Sequence, residues 1–79
     1  MAPEDTFDAF KQCAVEVLQV DPSKIVPEAR FAEDLDADSL DLVELVMALE
    51  ERFGVNVAES ELEGVQTVGQ AYELVTSKL

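Results

Sequence analysis

"EDLDADSLDLVELVMALEERFG", residues Glu33–Gly54, runs from alternating aspartates through a lone serine into a long apolar-periodic stretch that ends on glycine. Two kinds of site begin this way. Aspartates at every second position supply the oxygens of a calcium loop, and a hydroxyl at a helix start offers a modifiable or nucleophilic oxygen. In the EF-hand pattern, carboxylates at loop positions one, three and five precede an obligatory glycine at six and a bidentate Glu at twelve. Counted from Asp34, the first three ligands fit, but position six is Ser39, position twelve is Leu45, and Glu44 falls one residue short. The calcium loop fails.

The helix-start reading fits. Asp38 is placed to cap a helix running from about Ser39 to Phe53, with Asp41 three residues on to complete an acidic variant of the capping box. Gly54 is a natural residue to follow its last turn. Ser39 then lies in the first turn, with its hydroxyl outside the bundle and its N–H among the unsatisfied donors, a favourable place for a phosphate. On these residues alone, Ser39 is as much a cap residue as a site of modification. The helix faces favour the second reading. At about 100° per residue, Leu42, Leu45, Val46, Leu49 and Phe53 share one side and form the core. Leu40 and Met47 fall opposite, among Asp41, Glu44, Ala48 and Glu51, with Val43 on the flank. Single exposed apolar residues are common. Two of them on an acidic face that starts at the serine read as a docking strip for a pocket rimmed with Arg or Lys.

Outward from this helix the chain reads as three more. From Asp5 to Gln19, the positions Phe7, Phe10, Ala14, Val17 and Leu18 keep helical spacing, and Asp21-Pro22 is the expected stop. Thr67-Val-Gly-Gln70 is a capping box opening a last helix whose stripe is Val68, Ala71, Tyr72, Val75 and Leu79. Ala58–Glu63 forms a short acidic turn of helix closed by Gly64. The segment 20–38 is long for a loop in so small a chain, and Ile25, Val26 and Phe31 are expected to pin it to the core. The expected fold is all-α: one domain over residues 1–79, a small four-helix bundle with a short third helix and a long loop between the first and second.

Composition narrows the function. Seventy-nine residues, 48% of them hydrophobic, support one core. Eighteen acids against five bases give a net charge of −13, which excludes binding to nucleic acid phosphate. Between Arg30 and Arg52 stand Glu33, Asp34, Asp36, Asp38, Asp41, Glu44, Glu50 and Glu51 with no base, a field that steers a cationic partner. Asp34, Asp36, Asp38 and Asp41 would bind divalent cations weakly, with no specific metal site. No histidine is present, and no base–nucleophile–orienter set or glycine-rich phosphate cradle is visible, so the chain is not read as an enzyme. Cys13, on the edge of the first helix's apolar face, is read as a small core residue; as the lone cysteine it forms no internal disulfide and suits a reducing cytosol. Met1-Ala2-Pro3-Glu4-Asp5 has neither the basic nor the apolar region of a signal peptide, and no apolar run approaches membrane-spanning length.

At the same residues the chain resembles the acyl carrier proteins. The resemblance centres on Asp38-Ser39-Leu40 within Glu33–Gly54 and extends over nearly the whole chain, including "TVGQAYELV" at Thr67–Val75. It implies a four-helix bundle in which the serine matching Ser39 carries phosphopantetheine through a phosphodiester, with acyl intermediates riding on its terminal thiol as thioesters. Asp38 and Leu40 flank the attachment point. The implied partners are a phosphopantetheinyl transferase and condensing, reducing and acyl-transferring enzymes, meeting a docking face of Leu40, Asp41, Val43, Glu44, Met47, Glu50 and Glu51. The implied acyl pocket is lined by Val43, Leu49, Val57, Leu62, Val65 and Ala71, with Phe31 near the loop. A free-standing carrier of this kind resembles those of fatty acid synthesis more than polyketide or peptide ones, and a cytoplasmic monomer is expected. The family commonly has glycine where Asp36 stands, a departure that adds charge and leaves the serine's neighbours intact.

Overall fold

A computed structural model describes residues 3–79, with side chains from Thr6 onward; Met1 and Ala2, part of the N-terminal stretch read above, lie outside the described residues. The described residues form four α-helices: α1 (Pro3–Leu18), α2 (Ser39–Phe53), α3 (Glu59–Leu62) and α4 (Val68–Thr76). The described residues contain no strand, only one isolated antiparallel bridge, Arg30 to Thr67. The fold is the expected small all-α bundle.

Helix α2 starts and stops where its sequence demands. The Asp38 carboxylate accepts the Asp41 N–H at 2.9 Å, and Asp41 returns the favour by accepting the Asp38 N–H at 3.2 Å. This reciprocal box satisfies donors that the helix itself leaves free. Gly54 closes the helix in the left-handed region (φ 68°), donating to the Glu50 carbonyl at 2.8 Å. Leu45, Val46 and Leu49 are buried, whereas Leu42 and Phe53, expected in the core, are half-buried at its margin.

Helix α1 buries Phe10 and Ala14 completely and packs along α2. It ends at Leu18, one residue before the expected end at Gln19 and ahead of the expected stop at Asp21-Pro22. Gln19 takes a left-handed conformation (φ 55°) while still donating to the Val15 carbonyl at 2.8 Å, so the helix is over before Pro22. Pro22 instead opens a 3₁₀ turn, Pro22–Lys24, for which the Asp21 side chain accepts the Ser23 N–H at 3.0 Å. Proline serves well there because the first N–H of a helical turn has no partner to lose.

Helix α4 begins with the expected box, Thr67 and Gln70 exchanging hydrogen bonds at 3.2 and 3.0 Å. Val68, Ala71 and Val75 are buried, but Leu79 lies past the end of α4 and is 65% exposed, so it leaves the stripe. Tyr72 meets the rings of Phe7 and Phe10 edge-on, with centroids 5.1 and 5.6 Å away, tying α4 to α1.

The long loop is held by backbone as much as by side chains. Phe31 N–H donates to Gln66 O (3.0 Å), Val68 N–H to Ala29 O (2.9 Å) and Gly69 N–H to Pro27 O (2.9 Å). Segment 27–31 therefore lies directly against the start of α4. A Cβ on Gly69 would stand 3.0 Å from the Pro27 oxygen, so a residue without a side chain suits this approach. Ile25 and Phe31 are buried as expected. Val26 is not: it is 40% exposed, and Ala29, Leu35 and Ala37 are the additional anchors.

Candidate functional site

Ser39 is the first residue of α2, exposed, directly after the Asp38 cap. The cap is made by Asp38, not by the serine, and the Ser39 hydroxyl has no hydrogen-bond partner among the described residues. Next to it opens a cleft of about 450 Å³ between the long loop, α2 and the α3–α4 segment. Its apolar walls are Phe31, Ala37, Leu42, Leu62 and Val65, with Arg30, Glu33 and Glu63 also on its lining.

Three of the residues expected to line an acyl pocket, Phe31, Leu62 and Val65, meet on this cleft. Leu49 and Ala71 lie in the closed core, and Val43 and Val57 are half-buried away from the cleft lining. Leu42 and Ala37 are cleft residues that sequence reasoning missed. Leu42 had a signal, because it follows Ser39 by three residues on a helix and so shares its face. Ala37 had none, since its position depends on the Phe31 carbonyl that accepts its N–H at 2.8 Å.

The face expected to dock partners stands out from the core. Leu40 is 64% and Met47 59% exposed, beside the exposed carboxylates of Glu44 and Glu51, while Asp41, Val43 and Glu50 are half-buried. Glu50 also accepts the Val57 N–H at 2.8 Å, so it fixes the chain leaving α2 as well as contributing charge. At this end Met47, Glu50, Glu51, Val55 and Asn56 border a second, open hollow of about 460 Å³.

The alternating aspartates are mostly engaged locally. Asp34 accepts the Arg30 N–H at 2.8 Å and pairs with its guanidinium at 3.5 Å; the backbone hydrogen bond above all holds this carboxyl below its ordinary value. Asp38 and Asp41 cap α2. Asp36 occupies the left-handed region, with φ 54°. Among the described residues no three His, Cys, Asp or Glu side chains converge as a metal would require. Cys13 is half-buried, and burial pushes its thiol up, which keeps it protonated and unreactive at neutral pH.

The site thus combines a capped helix start, a Ser39 hydroxyl without a hydrogen-bond partner among the described residues, an adjoining apolar cleft and an acidic helix face. The family described as "Phosphopantetheine attachment site" matches residues 8–75. An "Acyl carrier protein" of Thermosynechococcus vestitus is 47% identical over 79 residues, covering 100% of this chain and 98% of the relative. One of Helicobacter hepaticus is 55% identical over 64 residues, covering 81% of this chain and 84% of the relative. The chain belongs to the acyl carrier protein family, whose members are carriers rather than catalysts, and its cofactor is phosphopantetheine. Members of this family interact with phosphopantetheinyl transferases and biosynthetic enzymes. No helix among the described residues is long and apolar enough to cross a membrane.

Proposed function

We propose that Ser39 is the attachment point of phosphopantetheine and that the chain, as one carrier domain over residues 1–79, shuttles acyl intermediates between enzymes of fatty acid biosynthesis in the cytoplasm. The observation that carries this reading is the exposed, unpartnered Ser39 hydroxyl at the first turn of α2, beside the apolar cleft. The residues fit the group. A phosphodiester on Ser39 lies at a helix N-terminus, and the chain's own carboxylates at that point, Asp38 and Asp41, are turned to each other's N–H groups. When attached, the group supplies a terminal thiol on which acyl chains ride as thioesters.

Attachment needs a separate transferase. The Ser39 oxygen attacks the phosphorus on the pantetheine side of the coenzyme A pyrophosphate, its proton passes to a base of the transferase, and the nucleotide half departs. A magnesium ion held by the transferase would supply charge neutralisation at the pyrophosphate. Asp38 fixes the orientation of the first turn, and Leu40 beside it is exposed for the transferase to grip. The same face of Leu40, Asp41, Val43, Glu44, Met47, Glu50 and Glu51 serves, in this reading, every later partner with a basic docking patch, including condensing, reducing and acyl-transferring enzymes. The chain acts as a monomer, and divalent cations screen the field of Asp34, Asp36, Asp38 and Asp41 without occupying a fixed site.

Each buried methylene of a cargo gains ~0.8 kcal/mol over one left in water. Phe31, Leu62 and Val65 offer the nearest shelter, and widening of the cleft toward Val43, Leu49, Val57 and Ala71 accommodates longer chains.

The test of attachment is direct. Wild type and Ser39→Ala are incubated with coenzyme A and a carrier-protein transferase, and the products are mapped by mass spectrometry. One phosphopantetheinyl group on wild type and none on the variant is expected. Modification of the Ala variant to the same extent would move the site elsewhere. Acyl groups recovered from the chain in its cell of origin then separate fatty acid from polyketide service.

A further inference from the structure

The Glu61 carboxylate is shared between two elements. One oxygen accepts the Ala58 N–H at 3.1 Å, holding the start of α3, and the other lies 3.0 Å from Lys78 Nζ, just past the end of α4. Both residues lie at the surface, with side chains 35% and 27% exposed, so water and salt screen the pair. The other ion pairs recorded among the described residues, Arg30 with Glu33 and Asp34, stay within the long loop. Helix α3 has four residues, none of them buried. A helix of that length has no stability of its own, so its place depends on what it touches. Leu62, the residue after Glu61, lines the cleft beside Ser39 together with Glu63 and Val65.

We infer that the Glu61–Lys78 pair is a latch that sets how often the α3 wall swings away from the cleft, and thereby how readily cargo enters it. The inference rests on the reading of Ser39 and its cleft as the carrier site. Opening of this wall spares the core, because the buried cluster that holds Phe10, Leu45, Leu49, Val68 and Val75, and the half-buried apolar residues packed against it, include none from α3. A partly exposed pair of this kind shifts a local opening equilibrium by about 2–5-fold. Lys78 acts as a positioning residue; it takes no part in holding the cargo.

Amide hydrogen exchange on the unmodified chain tests the latch independently of any modification. Lys78→Met keeps most of the stem and removes the charge. Glu61→Gln removes the charge and keeps an oxygen for the Ala58 N–H, so α3 retains its start. The informative amides are Glu61, bonded to Ala58 O at 2.9 Å, and Val65, bonded to Leu62 O at 3.0 Å. At low salt both variants should exchange these amides about 2–5-fold faster than wild type. Leu45 and Leu49 amides should be unchanged, Lys78→Arg should restore protection, and NaCl should bring wild type toward the variants. Wild-type rates at Glu61 and Val65 in both variants would overturn the latch, as would equal acceleration throughout α2. On the octanoylated chain, the Leu62 and Val65 methyl resonances should shift further in the variants than in wild type; identical shifts would overturn the gating of cargo. Failure of Ser39 to accept the arm would instead remove the functional reading and leave the exchange result standing.

Discussion

Helix α2 and the loop 19–38 that precedes it contribute comparably to one core by opposite means. The helix buries Leu45, Val46 and Leu49 through periodicity, its ends fixed by a capping box and a left-handed glycine. The loop buries Ile25, Ala29, Phe31, Leu35 and Ala37, none of them in a helix or strand. Its geometry comes from backbone groups that pair with Gln66, Val68 and Gly69, far away in sequence. The difference explains how one face of α2 stays free. Because the loop, α1 and α4 complete the core on the other side, Leu40 and Met47 remain exposed.

The strongest way to break this comparison is to truncate one anchor from each region. Leu45 and Ile25 are both fully buried. Leu45→Ala and Ile25→Ala should each destabilise by ~2–5 kcal/mol in urea unfolding, a large share of the stability of so small a domain. An Ile25→Ala cost below about 1 kcal/mol would mean that the loop merely drapes the bundle.

A smaller effect sharpens the comparison within α2. Leu40→Ala and Met47→Ala should change unfolding stability by no more than ~0.5 kcal/mol. Each should raise the dissociation rate from the transferase by about 10-fold if it fills a partner pocket. Glu44→Gln should instead slow association and flatten its salt dependence. Surface plasmon resonance at several NaCl concentrations reads both. Should Met47→Ala unfold the chain as badly as Leu45→Ala, the two faces are exchanged and the docking strip is core.

The same contrast decides what the sequence reveals. In α2 each cue is local: Asp38 and Asp41 are three residues apart, the apolar positions repeat, and Gly54 ends the run. Helix, faces and the exposed serine were legible for that reason. In the loop, nothing local distinguishes Val26, which is exposed, from Ala29 and Leu35, which are buried. Their fates follow from the pairing of segment 27–31 with the start of α4. The cleft was half legible for a similar reason. It exists where three segments meet, so resemblance reaches Phe31, Leu62 and Val65, while helical spacing assigns Leu42 to the core and no local cue marks Ala37. Leu79 fits the helical spacing of α4, but that helix stops at Thr76.

Asp36 marks where loop and helix meet, and it supports the smallest prediction. The family commonly has glycine there, and the backbone now supplies a reason beyond charge: φ is 54°, a region costly for residues with a Cβ and only partly eased for Asp. The carboxylate has no hydrogen bond or ion pair among the described residues to offset this, and it adds to a net charge of −13. Two effects are therefore superimposed, and two substitutions separate them. Asp36→Gly and Asp36→Ala both remove the charge, but only the first removes the Cβ. At an ordinary helix position alanine would be the more stable by ~0.5–1 kcal/mol. Here the order should reverse, with Asp36→Gly ahead by about 1 kcal/mol, because alanine at positive φ is strained. The gap between the two should persist at 1 M NaCl, where the Debye length falls to about 3 Å. The gain of Asp36→Gly over wild type should shrink with salt but keep its sign. Alanine matching or exceeding glycine in thermal unfolding would show that Asp36 is disfavoured by its charge alone, and that the turn into α2 carries no left-handed demand.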